Sequence, residues 1–144
     1  MPVALAEMLR YCDDELDVRR FRDYCPNGLQ VQGRPQVGRL AAAVTANQTV
    51  LDEAVRWGAD ALLVHHGYFW KGEEPVVTGM KRRRLGTLLA ADMSLVAYHL
   101  PLDAHGSLGN NAQWGARLGL GPGDPLDPAD PAAVGDVATL PEAV

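Results

Sequence analysis

Residues 61–70 read Ala61-Leu62-Leu63-Val64-His65-His66-Gly67-Tyr68-Phe69-Trp70, an apolar run that ends in two adjacent histidines, half of the four in the chain. A short continuous apolar run of this kind is the pattern of a strand buried on both faces, as in a parallel sheet. In open α/β sheets ligands bind just outside the carboxyl ends of such strands, which is where the pair stands. Neighbouring strand residues point to opposite faces. At a strand's last residue and the first of its loop, however, both imidazoles can turn toward one spot above the sheet edge. A metal ion accounts for both histidines; a satisfied polar strand end is the structural alternative.

Strands and helices alternate on either side of this stretch. Leu40-Ala41-Ala42-Ala43-Val44-Thr45-Ala46 reads as a small-residue strand. Asn47 or Thr49 caps a helix from Val50 to Trp57, and Gly58 stops it. Beyond the aromatic loop, Thr78 caps a helix over Met80–Asp92, and Ser94-Leu95-Val96-Ala97-Tyr98 forms the next strand, ended by His99. Pro101 is expected to stop any helix and leave Leu100–Gly109 a loop, after which Asn110 or Asn111 caps a last helix through Leu118. The chain opens with an amphipathic helix over Val3–Cys12 and a short helix over Asp14–Tyr24. Cys25-Pro26-Asn27-Gly28 makes a turn into an alternating strand at Leu29–Gln32. The expected fold class is α/β, in βαβαβα order, with a mostly parallel sheet, right-handed crossovers and flanking helices.

At 144 residues and 47% hydrophobic, one globular core is the default. We divide the chain into an α/β metal-binding domain over 1–118 and a Pro/Gly-rich segment over 119–144. The latter holds Pro122, Pro125, Pro128, Pro131 and Pro141 and reads as a linker and the start of a second half. A net charge of −5 and a pI near 5.2 give no overall attraction to nucleic acid or anionic membrane. Neither a signal peptide nor a membrane-spanning run is visible, so a cytoplasmic location without membrane association is expected. Cys12 and Cys25 make no metal-type spacing and read as buried free thiols rather than nucleophiles.

The candidate ligands are His65 and His66 from one strand end, with His99, Asp103 and His105 from the segment after the next. Imidazoles with a carboxylate suit zinc, manganese, iron, cobalt or nickel better than calcium or magnesium alone. Such a site supports metal-assisted hydrolysis, and a carboxylate such as Asp103 can bridge two ions. His105 is assigned as the catalytic acid–base group, with an outer-sphere role or a plain surface histidine as alternatives. Tyr68, Phe69 and Trp70 can stack a substrate base or anchor the long loop. Lys81-Arg82-Arg83-Arg84 can contact phosphate or nucleic acid, although four consecutive charges read first as a solvated helix face. No G-x-S-x-G elbow, P-loop, G-x-G-x-x-G or H-E-x-x-H pattern occurs.

Four stretches together carry a resemblance: Pro26-Asn27-Gly28-Leu29-Gln30-Val31, Ala59 to Trp70, His99-Leu100-Pro101-Leu102-Asp103-Ala104-His105, and Gly109-Asn110-Asn111. With them the chain resembles the Nif-three-like dinuclear-metal family, whose bacterial members are often called GTP cyclohydrolase one type two homologues. The resemblance runs from about Met1 to Leu140. It implies a toroidal homohexamer of α/β subunits, each with a centre of two divalent transition-metal ions, and metal ligands at His65, His66, His99 and Asp103. Family members draw a further histidine and glutamate from a late His-x-x-x-Glu segment that this sequence lacks, and neither His105 nor Glu142 replaces them. A fragment or truncated gene is therefore expected, holding one ion or a weakly filled pair. The function implied is a metal-dependent hydrolase of a nucleotide-like or phosphorylated small molecule, its substrate unidentified. The alternative is a non-catalytic hexameric metal-binding scaffold that engages protein or nucleic acid.

Overall fold

The computed structural model describes residues 1–121 together with 124–125 and 136–137. The chain divides into two compact units. The first comprises residues 1–15 and 23–99; the second comprises residues 16–22 and the chain from Leu100 onward.

The first unit is built on a four-stranded sheet. In chain order its elements are β1 (Val3–Ala4), α1 (Leu5–Glu15), β2 (Gly28–Val31), β3 (Gln36–Val37), β4 (Leu40–Thr45), α2 (Gln48–Trp57), β5 (Ala61–His66), α3 (Gly79–Ala90) and β6 (Ser94–Ala97). The sheet runs β2-β6-β5-β4, with β4, β5 and β6 parallel and β2 antiparallel to β6. β1 and β3 pair in a separate two-stranded ribbon.

Alternation along β5 decides which side each helix covers. Leu62 and Val64 lie in the larger core with Leu51 and Ala54 of α2, Leu88 of α3, and Leu95 and Ala97 of β6. Ala61, pointing the other way, packs with Leu5, Val37 and the partly buried Met8, Leu9 and Leu29, so α1 covers the opposite face. The mostly parallel sheet flanked by helices matches the expected class. Ser94, Leu95, Val96 and Ala97 are all at 0% exposure, the double-sided burial that makes β6 read as an unbroken apolar run.

Local chemistry sets the helix ends. Asn47 caps α2 by accepting from Val50 N at 3.0 Å, and Gly58 closes it in the left-handed region at φ 77°. Thr78 occupies the N-cap of α3 without a side-chain capping bond. Asp60 holds the entry to β5: its carboxylate accepts from Gly38 N, Arg39 N and Arg34 Nη1, each at 2.8 Å. The first helix runs three residues past the expected Cys12. In place of a second helix over 14–24 there is only a single 3-10 turn at Val18–Arg20, because Asp17 turns into the left-handed region at φ 45°.

The second unit contains that 3-10 turn, α4 (Leu100–Ala104), α5 (Asn110–Arg117), and β7 (Asp124–Pro125) antiparallel to β8 (Asp136–Val137). The helix α4 corrects the expectation of a loop after Leu100. Pro101 is the second residue of the helix, and in a first turn proline's missing N–H has no intrahelical partner to lose. Most of the 119–144 linker assignment falls outside the described residues. Among the described residues no helix is long and apolar enough to cross a membrane.

Candidate metal centre

Strand register brings the site together. Val64 of β5 pairs with Ala97 of β6, and Thr45 of β4 pairs with His66. Two residues on from Val64 and Ala97 stand His66 and His99, so Thr45 and His66 at the ends of β4 and β5 stand level with His99, two residues past the end of β6. β5 extends through His66 rather than stopping at His65, yet the two rings still converge. Their centroids lie 4.3 Å apart, and His99 lies 5.0 Å from His65 and 5.8 Å from His66. One ligand nitrogen from each of the three can be chosen so that all lie within 4.8 Å of one another.

The outer contacts of these rings orient them for coordination. His65 Nδ1 meets the carbonyl oxygen of Tyr98 at 3.1 Å, and His99 Nδ1 meets Asp23 Oδ1 at 2.8 Å. A carbonyl and a carboxylate only accept, so in the neutral rings the proton sits on Nδ1 and Nε2 carries the lone pair. Metal-ligating histidines are commonly held in this way by a backbone carbonyl or a carboxylate. His66 Nδ1 lies 3.1 Å from the Thr45 hydroxyl, which can donate or accept. The three partly buried imidazoles thus fit a divalent transition metal in donor type, and His65 and His99 also in tautomer.

The mouth of the site is built by the loop after β5. Tyr68 turns inward, 7% exposed, and its hydroxyl donates to Ala46 O at 2.7 Å. Trp70 sets its ring edge-on to His99 at 4.9 Å and lies 6.2 Å from His66, with its indole N–H donating to Gly67 O. Lys71 N donates to Tyr24 O at 2.7 Å, tying this loop to the turn that carries Asp23. Part of the basic run also turns here. Lys81 Nζ pairs with Glu73 and lies 5.5 Å from the Phe69 ring centroid, and Arg84 lies over Tyr68. Of the four, Arg82 and Arg83 are exposed and Lys81 and Arg84 half-buried, so the run is not the uniformly solvated face its sequence suggests.

At this edge lie Asp23, which drew no attention in the sequence, and Cys25, read there as a buried free thiol. Asp23 lies 76 residues before His99 with its side chain only 2% exposed. Cys25 can reach Asp23 and His99, the three forming a second group with metal-ligand donors. Burial, and secondarily the Asp23 charge, pushes the Cys25 thiol up to about 11, so at neutral pH it is a thiol and not a nucleophilic thiolate. The available signal was the Pro26-Asn27-Gly28 turn, whose asparagine also binds His99.

Asp103 and His105 belong to the second unit. Asp103, in α4, accepts from Asn110 Nδ2 at 2.7 Å. His105 follows the helix, and its Nδ1 accepts from Leu108 N at 3.0 Å and Ser107 N at 3.2 Å. That arrangement puts the proton of neutral His105 on Nε2, the reverse of His65 and His99.

A model of the Duf34/NIF3 (NGG1p interacting factor 3) family matches residues 3–144. The chain belongs to this family. A Pseudomonas aeruginosa Duf34/NIF3 relative named GTP cyclohydrolase 1 type 2 homolog is 54% identical over 142 residues, covering 99% of this chain and 56% of its own length. An Escherichia coli K12 protein of the same name is 58% identical over 114 residues, covering 79% of this chain and 46% of its own length. Among solved structures, protein ybgI, described as of unknown function, superposes with a TM-score of 0.82 at 55% identity, covering 83% of this chain and 48% of that one. A Thermus thermophilus protein does so with a TM-score of 0.81 at 40% identity, covering 87% and 52%. The chain spans about half the length of the Duf34/NIF3 relatives it matches.

Proposed function

We propose that this chain carries the metal site of a metal-dependent hydrolase acting on a nucleotide-like or other phosphorylated small molecule. The observation that supports this reading best is the convergence of His65, His66 and His99, with the Nδ1 atoms of His65 and His99 on obligate acceptors. Those three would hold a divalent ion, His65 and His99 through Nε2. When bound, the ion supplies Lewis acidity toward a phosphoryl or carbonyl oxygen. The remaining work falls to the chain. Trp70 sets its ring edge-on against His99 and would position a substrate beside it. Family membership and the name of the relatives put guanosine triphosphate first among substrates to try, although a shared fold and site do not fix a substrate. The same reading makes the assembled protein a toroidal homohexamer, with this chain holding one ion or a weakly filled pair in each subunit.

Elemental analysis of the zinc- or manganese-loaded chain, with a mass measurement of the assembly and a hydrolysis panel of nucleotides and phosphoesters, tests the proposal. Bound metal and a turnover abolished by His66→Ala are expected. Bound metal with no turnover anywhere on the panel overturns the hydrolase reading, and absence of bound metal overturns the site itself.

A further inference from the structure

His99 is the one member of the histidine cluster that lies beyond the end of its strand, so sheet hydrogen bonding does not fix it. Two side chains from the turn before β2 do so instead. Asn27 Oδ1 accepts from the backbone N–H of His99 at 2.7 Å, and Asp23 Oδ1 accepts from its ring at 2.8 Å. Asn27 Nδ2 in turn donates to Asp23 Oδ2 at 2.9 Å, and Tyr24 N donates to Asp23 Oδ1 at 2.6 Å. Backbone and imidazole of His99 are thus gripped by one closed Asp23–Asn27 pair, and the carboxylate receives three N–H donors at 2% exposure.

Placing a carboxylate in so dry a position is costly unless it is fully hydrogen-bonded, and here the donors include the histidine ring itself. We propose that Asp23 is a positioning residue for the metal centre: it fixes the His99 ring and keeps its proton on Nδ1, so that Nε2 presents a lone pair. This inference rests on the metal-site reading above. A carboxylate is required because it accepts along both edges. An amide at position 23 accepts along one edge only. It must either oppose its own NH2 to that of Asn27 or turn it toward Tyr24 N–H and His99 Nδ1. The second arrangement moves the ring proton to Nε2 and blocks coordination, the kind of tautomer error an aspartate-to-asparagine change produces in hydrolytic triads.

The experiment compares wild-type chain with Asp23→Asn and, as a more disruptive second variant, Asp23→Ala, each checked for folding by circular dichroism. Zinc affinity is read by competition with a chromophoric chelator. The protonated nitrogen of His99 is read in the metal-free protein by 15N-resolved NMR. Expected are Nδ1–H in the wild type, a gain of Nε2–H in the variants, and zinc binding weakened about ten- to a hundredfold. Unchanged affinity in a folded variant overturns the inference. Weakened binding with His99 still protonated on Nδ1 also overturns it, since that outcome reports a merely structural role. A wild type that binds no zinc overturns the metal-site reading instead, and the tautomer measurement then decides the part played by Asp23 on its own.

Discussion

Thr45 faces His66 directly across the β4–β5 pair, and its hydroxyl lies 3.1 Å from His66 Nδ1. The contact is exposed, so water can replace the hydroxyl at modest cost. Thr45→Ala is therefore expected to weaken zinc binding by about tenfold or less, the low end for loss of an outer partner. Global stability should change by only about 0.5–1.5 kcal/mol, the value of one ordinary hydrogen bond. Zinc titration and a urea melt of the same variant separate the two effects.

Gly67 follows β5 at a point where nothing larger fits. A Cβ there would run into Gln30 Oε1, which accepts from Tyr68 N at 2.6 Å, and would come within 2.8 Å of Ala97 Cβ. Gly67→Ala should destabilise the fold by about 1–3 kcal/mol through overpacking. Thermal unfolding that matches wild type would show that the loop yields at no cost.

Leu95 is fully buried in the middle of β6. Leu95→Ala removes that packing and leaves a cavity, with an expected loss of about 2–5 kcal/mol in chemical denaturation.

The Asp60 carboxylate is held below the usual carboxylate range, chiefly by the backbone N–H groups of Arg39 and Gly38 and then by Arg34. A pKa lower in the folded than in the unfolded chain means the unfolded chain binds more protons. The stabilisation is therefore present above the ordinary value of 3.8 and is lost as pH falls below it toward the depressed folded value. Asp60→Asn should lower stability at neutral pH and flatten the acid limb of a stability profile recorded from pH 7 down to about 2. An unchanged acid limb would assign the pH dependence to other carboxylates.

Much of this architecture was legible in the sequence because its signals are local. The apolar runs at 61–64 and 94–97, the Asn47 cap and the Gly58 stop each act within a few residues, and the structure places β5, β6 and α2 accordingly. The convergence of His65, His66 and His99 followed from two parallel strands ending together. Asp23 was not legible. It sits in an Arg-rich, polar segment, and its partner is 76 residues away, so only the fold reveals the contact. Pro101 misleads because proline's rule for helix interiors does not hold in a first turn. The ribbon of β1 and β3, two residues each, is too short to leave a period in the sequence.

The parallel register of β4, β5 and β6 also bears on how such a chain can vary. A residue inserted in β5 would send His65 and His66 to the opposite faces and slide both past Thr45 and His99, because strand side chains alternate with a period of two. A residue inserted among the exposed positions 71–77 would leave those three strand ends in step. Length changes compatible with this site are therefore confined to the connections, and the spacing within each strand is a fixed count.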